Sequence, residues 1–225
     1  MTDRRRPGRA GTPGPAAGAA AESGGAATAW LGAQQAVAAR AAHEVKNALN
    51  GVSVNLAVVQ SRLKRGAPAE QISRFADAAV DQLERLTVQV EALLAVARPP
   101  RVPADLGLIA RQLGALLDDG GSEGARVAVT APPDGAALTA ADADVTRAAL
   151  AALLTRAVED AGGGACVVSA DDGAVQVRVT ALRPLDALFD PPLAAMLAAG
   201  GVSTRAPTPE LVELTFPPAN APPAF

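Results

Sequence analysis

The 225 residues include one cysteine, one histidine, one tryptophan and no tyrosine, and aromatics make up only 2%. The lone Cys166 excludes an intramolecular disulfide and fits a reducing compartment. Its neighbours Ala165, Val167 and Val168 read as a strand, where a single cysteine is a small buried hydrophobe rather than a reactive thiol. With few aromatics and 49% hydrophobic residues, many of them alanine, the core must come from close-packed helices and short aliphatic strands. A strong positive charge is also missing: the formal net charge of -3 gives no electrostatic case for nucleic-acid binding. No apolar run is long enough to span a bilayer. The basic amino terminus leads into Gly, Pro and Ala rather than the leucine-rich core of a secretion signal. These absences lead to the expectation of a soluble cytoplasmic protein without membrane contact.

What is present divides the chain. Residues 1–27 are rich in Gly, Pro, Ala and Arg without a period and read as a disordered tail, with Arg4, Arg5, Arg6 and Arg9 solvated or touching an acidic partner. Thr28 can cap a helix beginning near Ala29 or Trp30 and running to about Lys64, on the order of 50 Å long. Gly66 suits its C-cap, and Pro68 the first turn of a second helix that stops before Pro99-Pro100. The first helix has an apolar seam of Val45, Leu49, Val52, Leu56, Val59 and Leu63. The second has Ile72, Ala76, Ala79, Leu83, Leu86, Val90, Leu93 and Ala97 at matching steps. Together they form an antiparallel hairpin over 28–98, and its uncovered apolar surface predicts a homodimer packed as a four-helix bundle.

The proline-rich linker 98–103 marks a domain boundary. Beyond it, 104–217 reads as a small α/β sandwich, a mixed sheet covered on one face. Helices are expected over 106–117, 143–161 and 185–199, the middle one capped by Asp142 or Thr139. Strands are expected over 126–130, near 137–138, and over 166–169, 175–180 and 211–216. Asp171-Asp172-Gly173 is a hairpin signal. Residues 218–225 read as a loose tail. The fold class is therefore α+β.

The only histidine lies in Ala42-His43-Glu44-Val45-Lys46-Asn47-Ala48-Leu49-Asn50. Residues spaced i, i+4 and i+7 share a helix face, so His43, Asn47 and Asn50 form a polar stripe turned from the seam, with Glu44 on its shoulder. Asn47, Asn50 and Gly51 each weaken a helix by about 0.5–1 kcal/mol, so something other than helix stability has selected them. A lone exposed histidine with solvated neighbours is the plain alternative.

The stretch AHEVKNALNGV resembles the phosphoacceptor box of two-component sensor histidine kinases: His43, Glu44, Lys46, Asn47 and Leu49 match, and Ala48 replaces the usual proline. The hairpin resembles their dimerisation and phosphotransfer domain, and the second domain an eroded version of their ATP-binding domain. Within 153–161, Arg156 replaces the asparagine that holds magnesium, and a guanidinium offers no acceptor atom to a metal. After the 175–180 strand, where the family has its adenine site, the chain reads Ala181-Leu182-Arg183-Pro184-Leu185. Leu188-Phe189-Asp190-Pro191 resembles the phenylalanine box and Gly200-Gly201 the turn after the last helix, without a phosphate-cradling lid between them.

An intact histidine box beside a ruined nucleotide site resembles the dimeric histidine phosphotransferases. That resemblance implies a relay in which His43 carries a phosphoryl group between the receiver aspartates of response regulators, fed by an upstream histidine kinase. It makes His43 the nucleophile, Glu44 the group that orients it or takes its proton, and Asn47 a candidate to place a hydrolytic water. Lys46, Asn50, Val54, Ala57, Val58 and Ser61 would form the partner surface, although Val54 and Val58 could instead be buried in the bundle. No ATP, other cofactor or metal is expected on this chain; magnesium would come with the receiver. A response-regulator phosphatase and a non-catalytic dimeric scaffold are the alternatives, and an autophosphorylating kinase is set aside on Arg156.

Overall fold

A computed structural model describes residues 15–99, 102–118, 126–171, 173–185 and 189–219, with side chains from Gly25 onward. Two long helices lead: α1 (Pro15–Lys64) and α2 (Ala69–Ala97). Between them Gly66 takes φ 71°, which favours glycine, and its N–H closes the helix end on the Leu63 carbonyl. Pro68 stands at the N-cap of α2 rather than inside its first turn.

The helix does not start near Ala29 or Trp30, and Thr28 is not its cap: α1 already begins at Pro15. Part of the expected disordered tail is therefore helical. Two causes combine. Alanine is the best helix former. Downstream, Ala26, Trp30, Val37 and Ala41 are buried against the second half of the chain, a tertiary gain that a local reading of Gly and Pro cannot see. Residues 1–14, with Arg4, Arg5, Arg6 and Arg9, lie outside the described residues.

The rest is mixed helix and sheet. Strand β1 (Ala104–Asp105) leads into α3 (Leu106–Leu117), followed by β2 (Val127–Thr130), β3 (Leu138–Thr139) and α4 (Ala143–Glu159). The antiparallel pair β4 (Gly164–Asp171) and β5 (Ala174–Ala181) comes next, then α5 (Pro191–Ala199), β6 (Ser203–Thr208) and β7 (Leu211–Phe216). Five strands pair in the order β2-β4-β5-β7-β6, parallel only between β2 and β4; β1 and β3 form a separate antiparallel pair. One sheet face carries the core, as the alternation in β5 shows: Val175, Val177, Val179 and Ala181 are buried while Gln176, Arg178 and Thr180 are exposed.

Capping sets the helix starts. The Asp142 carboxylate accepts from the N–H groups of Asp144 and Val145, Asp105 from that of Leu108, and Asp190 from that of Leu193. Asp190 with Pro191 places the start of α5 at residue 191, not at 185. Strand β6 was not expected, because all of its residues are exposed and it contains Pro207, which an edge strand tolerates. Nor is the chain end loose from 218: Thr139 donates to the Pro217 carbonyl, and the Ala219 N–H donates to Leu138. Residues 220–225 lie outside the described residues.

The proline-rich linker does not separate two cores. Ala92 and Val96 of α2 join Trp30, Val37 and Ala41 of α1 in one buried cluster with α3, α4, α5 and the sheet. Arg147 of α4 fastens the junction: it is nearly buried, its guanidinium lies 5.2 Å from the Trp30 ring centre, and Nη1 donates to the Arg98 carbonyl at 3.0 Å.

Candidate functional site

His43 lies on α1 just where the helix leaves the α/β half. Consecutive residues turn by about 100°, so His43 stands roughly 200° around the helix from Ala41. Ala41 is 1% exposed and packed into the common core; the imidazole is exposed on the opposite side. Along its stripe Asn47, Asn50, Val54, Ala57 and Ser61 are exposed and Val58 is half-buried. Val54, at 63% exposure, is not covered within this chain. Glu44 is half-buried beside His43, and Lys46 is exposed one turn on.

The hairpin register sets α2 along a neighbouring side of α1, about 80–120° around the helix from His43. Asn55 Nδ2 donates to Gln82 Oε1 at 3.3 Å, and Arg62 Nη1 to Gln71 Oε1 at 2.8 Å. Continuing that register with equal rise brings His43 level with roughly Leu94. Leu94 is 56% exposed.

Gly51 now has a structural reason. A Cβ there would lie 2.6 Å from Gln82 Nε2, so its absence lets Gln82 sit against the backbone of α1 and meet Asn55. The stretch thus combines residues for two purposes: Gly51 for helix approach, and His43, Asn47 and Asn50 for an open face.

The apolar seam of the sequence divides in two. Val52 is buried and Val45 and Val59 half-buried, whereas Leu49, Leu56 and Leu63 are exposed by 47%, 47% and 60%. On α2, Ala79 is buried and Ile72, Leu86 and Leu93 are half-buried, while Leu83 and Val90 remain exposed. Each set repeats every seven residues, so one row zips the hairpin and the other faces outward.

Two residues of the neighbourhood escaped the sequence reading. Arg40 precedes His43 by one turn, and its Nη1 lies 3.6 Å from Glu159 Oε1 at the end of α4. Its signal was a single charge in the run Ala36-Val37-Ala38-Ala39-Arg40-Ala41-Ala42. Gln82 stands next to the seam residue Leu83, and nothing in its local spacing marks it.

In the α/β half, Arg156 is half-buried on α4, and its carbonyl accepts from the N–H groups of Asp160 and Ala161. After β5 the chain is pinned by its backbone: the Ala181 N–H donates to Glu210 and the Leu185 N–H to Pro209. Leu182 stands 72% exposed, and Leu188 lies outside the described residues. Among the described residues, no three His, Cys, Asp or Glu side chains gather as a metal site. None of the described helices is long and apolar enough to cross a membrane. Cys166 is fully buried, and burial pushes its thiol up to about 12.

No family profile and no curated protein matches the chain by sequence. Among solved structures it is similar to a bacterial phosphotransferase, with 12% identity over 82% of this chain and 95% of that one and a TM-score of 0.43. It is also similar to the blue-light activated histidine kinase EL346 of Erythrobacter litoralis, with 20% identity over 75% of this chain and 64% of that one, TM-score 0.38. The histidine kinase AdeS of Acinetobacter baumannii is similar too, with 13% identity over 75% of this chain and 97% of that one, TM-score 0.33.

Proposed function

We propose that the chain is a histidine phosphotransferase of a phosphorelay, carrying a phosphoryl group on His43 between receiver aspartates. One observation carries this reading: the only histidine of the chain is exposed on the side of α1 opposite the α/β half, beside Glu44 and one turn from Asn47. An imidazole so placed is open to a second protein and turned from its own second domain.

In the proposed step, the His43 Nε2 lone pair attacks the phosphorus of a receiver's phospho-aspartate in line. The N–P bond forms as the aspartyl O–P bond breaks, and the electron pair leaves on the aspartate carboxylate. Glu44 takes the proton from Nδ1 and holds the tautomer that leaves Nε2 unprotonated. Magnesium bound by the receiver neutralises charge in the transfer. Lys46, Asn50, Val54, Ala57, Val58 and Ser61 supply the docking face. Reversal of the same step delivers the group to a second receiver.

The donor set supports a relay fed by protein rather than by ATP. By the resemblance, Arg156 places a guanidinium where a metal ligand would be required, and the residues that directly follow β5, Leu182-Arg183-Pro184-Leu185, include no carboxylate to accept from an adenine amino group. No step is therefore routed through a nucleotide. The position of Asn47, about 40° around the helix from His43, favours a second activity of the same face, placing a water for hydrolysis of the phospho-aspartate.

The outward row Leu49, Leu56 and Leu63 with Leu83 and Val90 supports a homodimer through the hairpin. Each leucine buried fully is worth about 1.5–3 kcal/mol before the cost of association. Replacing Leu49 and Leu56 by Glu gives a monomer by light scattering if this row is the interface; an unchanged mass removes it.

The test of function is a transfer profile. Purified protein is mixed with labelled, phosphorylated receivers, and the label on the chain is followed in wild type, His43→Ala and Asn47→Ala. Label that appears in wild type and disappears in His43→Ala supports the relay. Retained transfer with slower loss of receiver phosphate in Asn47→Ala supports the hydrolytic activity. Binding of receivers without label on His43 would leave a scaffold.

A further inference from the structure

Arg40 occupies the shoulder between the two faces of α1. It lies about 100° around the helix from the buried Ala41 and about 60° from the exposed His43. Arg40 lies three positions before His43 and Lys46 three positions after it, so a cation stands about one turn to either side of the imidazole.

The guanidinium of Arg40 is poorly served where it rests. Its Nη1 reaches Glu159 only at 3.6 Å, well beyond the roughly 2.7–2.9 Å of a charge-assisted hydrogen bond. Its Nε is buried without an acceptor among the described residues. A donor removed from water and left unmade is costly, and such strain persists where the side chain has another use. The partner is also loosely placed. Glu159 is half exposed and is the last residue of α4, a helix end where a carboxylate is disfavoured. Packing alone thus explains neither the long contact nor the orphaned Nε.

We infer that Arg40 is a second catalytic residue of the transfer step, and that Glu159 is the positioning residue that holds it back until a receiver docks. The inference rests on the reading of His43 as phosphoacceptor. As Nε2–P forms and the aspartyl O–P bond breaks, the three equatorial oxygens carry the charge. The planar fork of Arg40 turns from Glu159 and donates to them, while Lys46 approaches from the other side as a point charge. Arg40 exchanges no proton; that proton passes from Nδ1 to Glu44. The α/β half thereby gains a part in the chemistry without binding a nucleotide: through Glu159 it sets how readily Arg40 reaches the phosphoryl group.

The experiment uses the full chain and one phosphorylated receiver, comparing initial rates of His43 labelling in wild type, Arg40→Ala, Arg40→Lys, Glu159→Gln and the Arg40→Ala/Glu159→Gln pair. Thermal melting accompanies each variant. Arg40→Ala is expected to slow labelling about tenfold or more, as one charge-assisted contact to the transition state is lost. Arg40→Lys keeps the charge but not the fork and falls between. Glu159→Gln labels faster than wild type, and the double variant is as slow as Arg40→Ala. A purely structural ion pair predicts otherwise: both single variants lower the melting temperature and change labelling alike or not at all, and that result overturns the inference. A labelled wild type with an unchanged Arg40→Ala rate refutes the role of Arg40 alone. A wild type that takes no label refutes the relay itself.

Discussion

Gly51 and Cys166 are both residues whose surroundings decide their meaning. A Gly inside a helix costs about 1 kcal/mol relative to Ala, yet the half-buried Gly51 makes room for Gln82, which accepts from Asn55. The atoms in the way are the end of a flexible side chain. Gly51→Ala is therefore expected to change stability by less than about 1 kcal/mol, the gain in propensity offset by the lost contact. In a Gln82→Ala background the same substitution should stabilise by about 0.5–1 kcal/mol; chemical denaturation of the four proteins of this cycle checks the pair. For Cys166, burial raises the thiol from its ordinary 9.0 to about 12, so folding favours the protonated form. Its contribution to stability is complete below pH 9 and lost as pH rises towards 12, and the native thiol should resist thiol reagents at pH 8. Cys166→Ala should flatten that alkaline loss in denaturation curves measured across the same range.

Among the elements, α1 shows what was legible and what was not. Its heptad pattern, the turn at Gly66 and the polar stripe of His43 could be read directly, because each is a local spacing or a local conformational demand. Its first half could not. Helix from Pro15 onward is stabilised by Trp30, Val37 and Ala41 joining a core built from elements far along the chain, and propensity carries no record of that. The same limit hid β6, whose exposed residues have no alternation to read, and the division of the seam, since a heptad row facing a partner looks the same as one facing its own hairpin. In the site, the row from His43 to Ser61 was legible as one face, whereas Arg40 was not, because its partner Glu159 is distant in sequence. Trp30→Ala tests the anchoring of α1 and is expected to cost about 3–5 kcal/mol in denaturation, with Arg147 left without its ring. As Trp30 is the only tryptophan, its fluorescence in the wild type reports release of α1 from α4.

For the molecule as a whole, the arrangement of halves matters more than either half. The α/β part covers one side of α1 as far as Ala41 and leaves the His43 face and the outward leucine row open. The proposed relay then stands or falls on where the phosphoryl group of His43 comes from. The decisive measurement offers two labelled donors in parallel, ATP with magnesium and a phosphorylated receiver, and reads acid-labile phosphate on the wild type and on His43→Ala. A relay takes label from the receiver alone and only when His43 is present; label taken from ATP, or none from any receiver, refutes it.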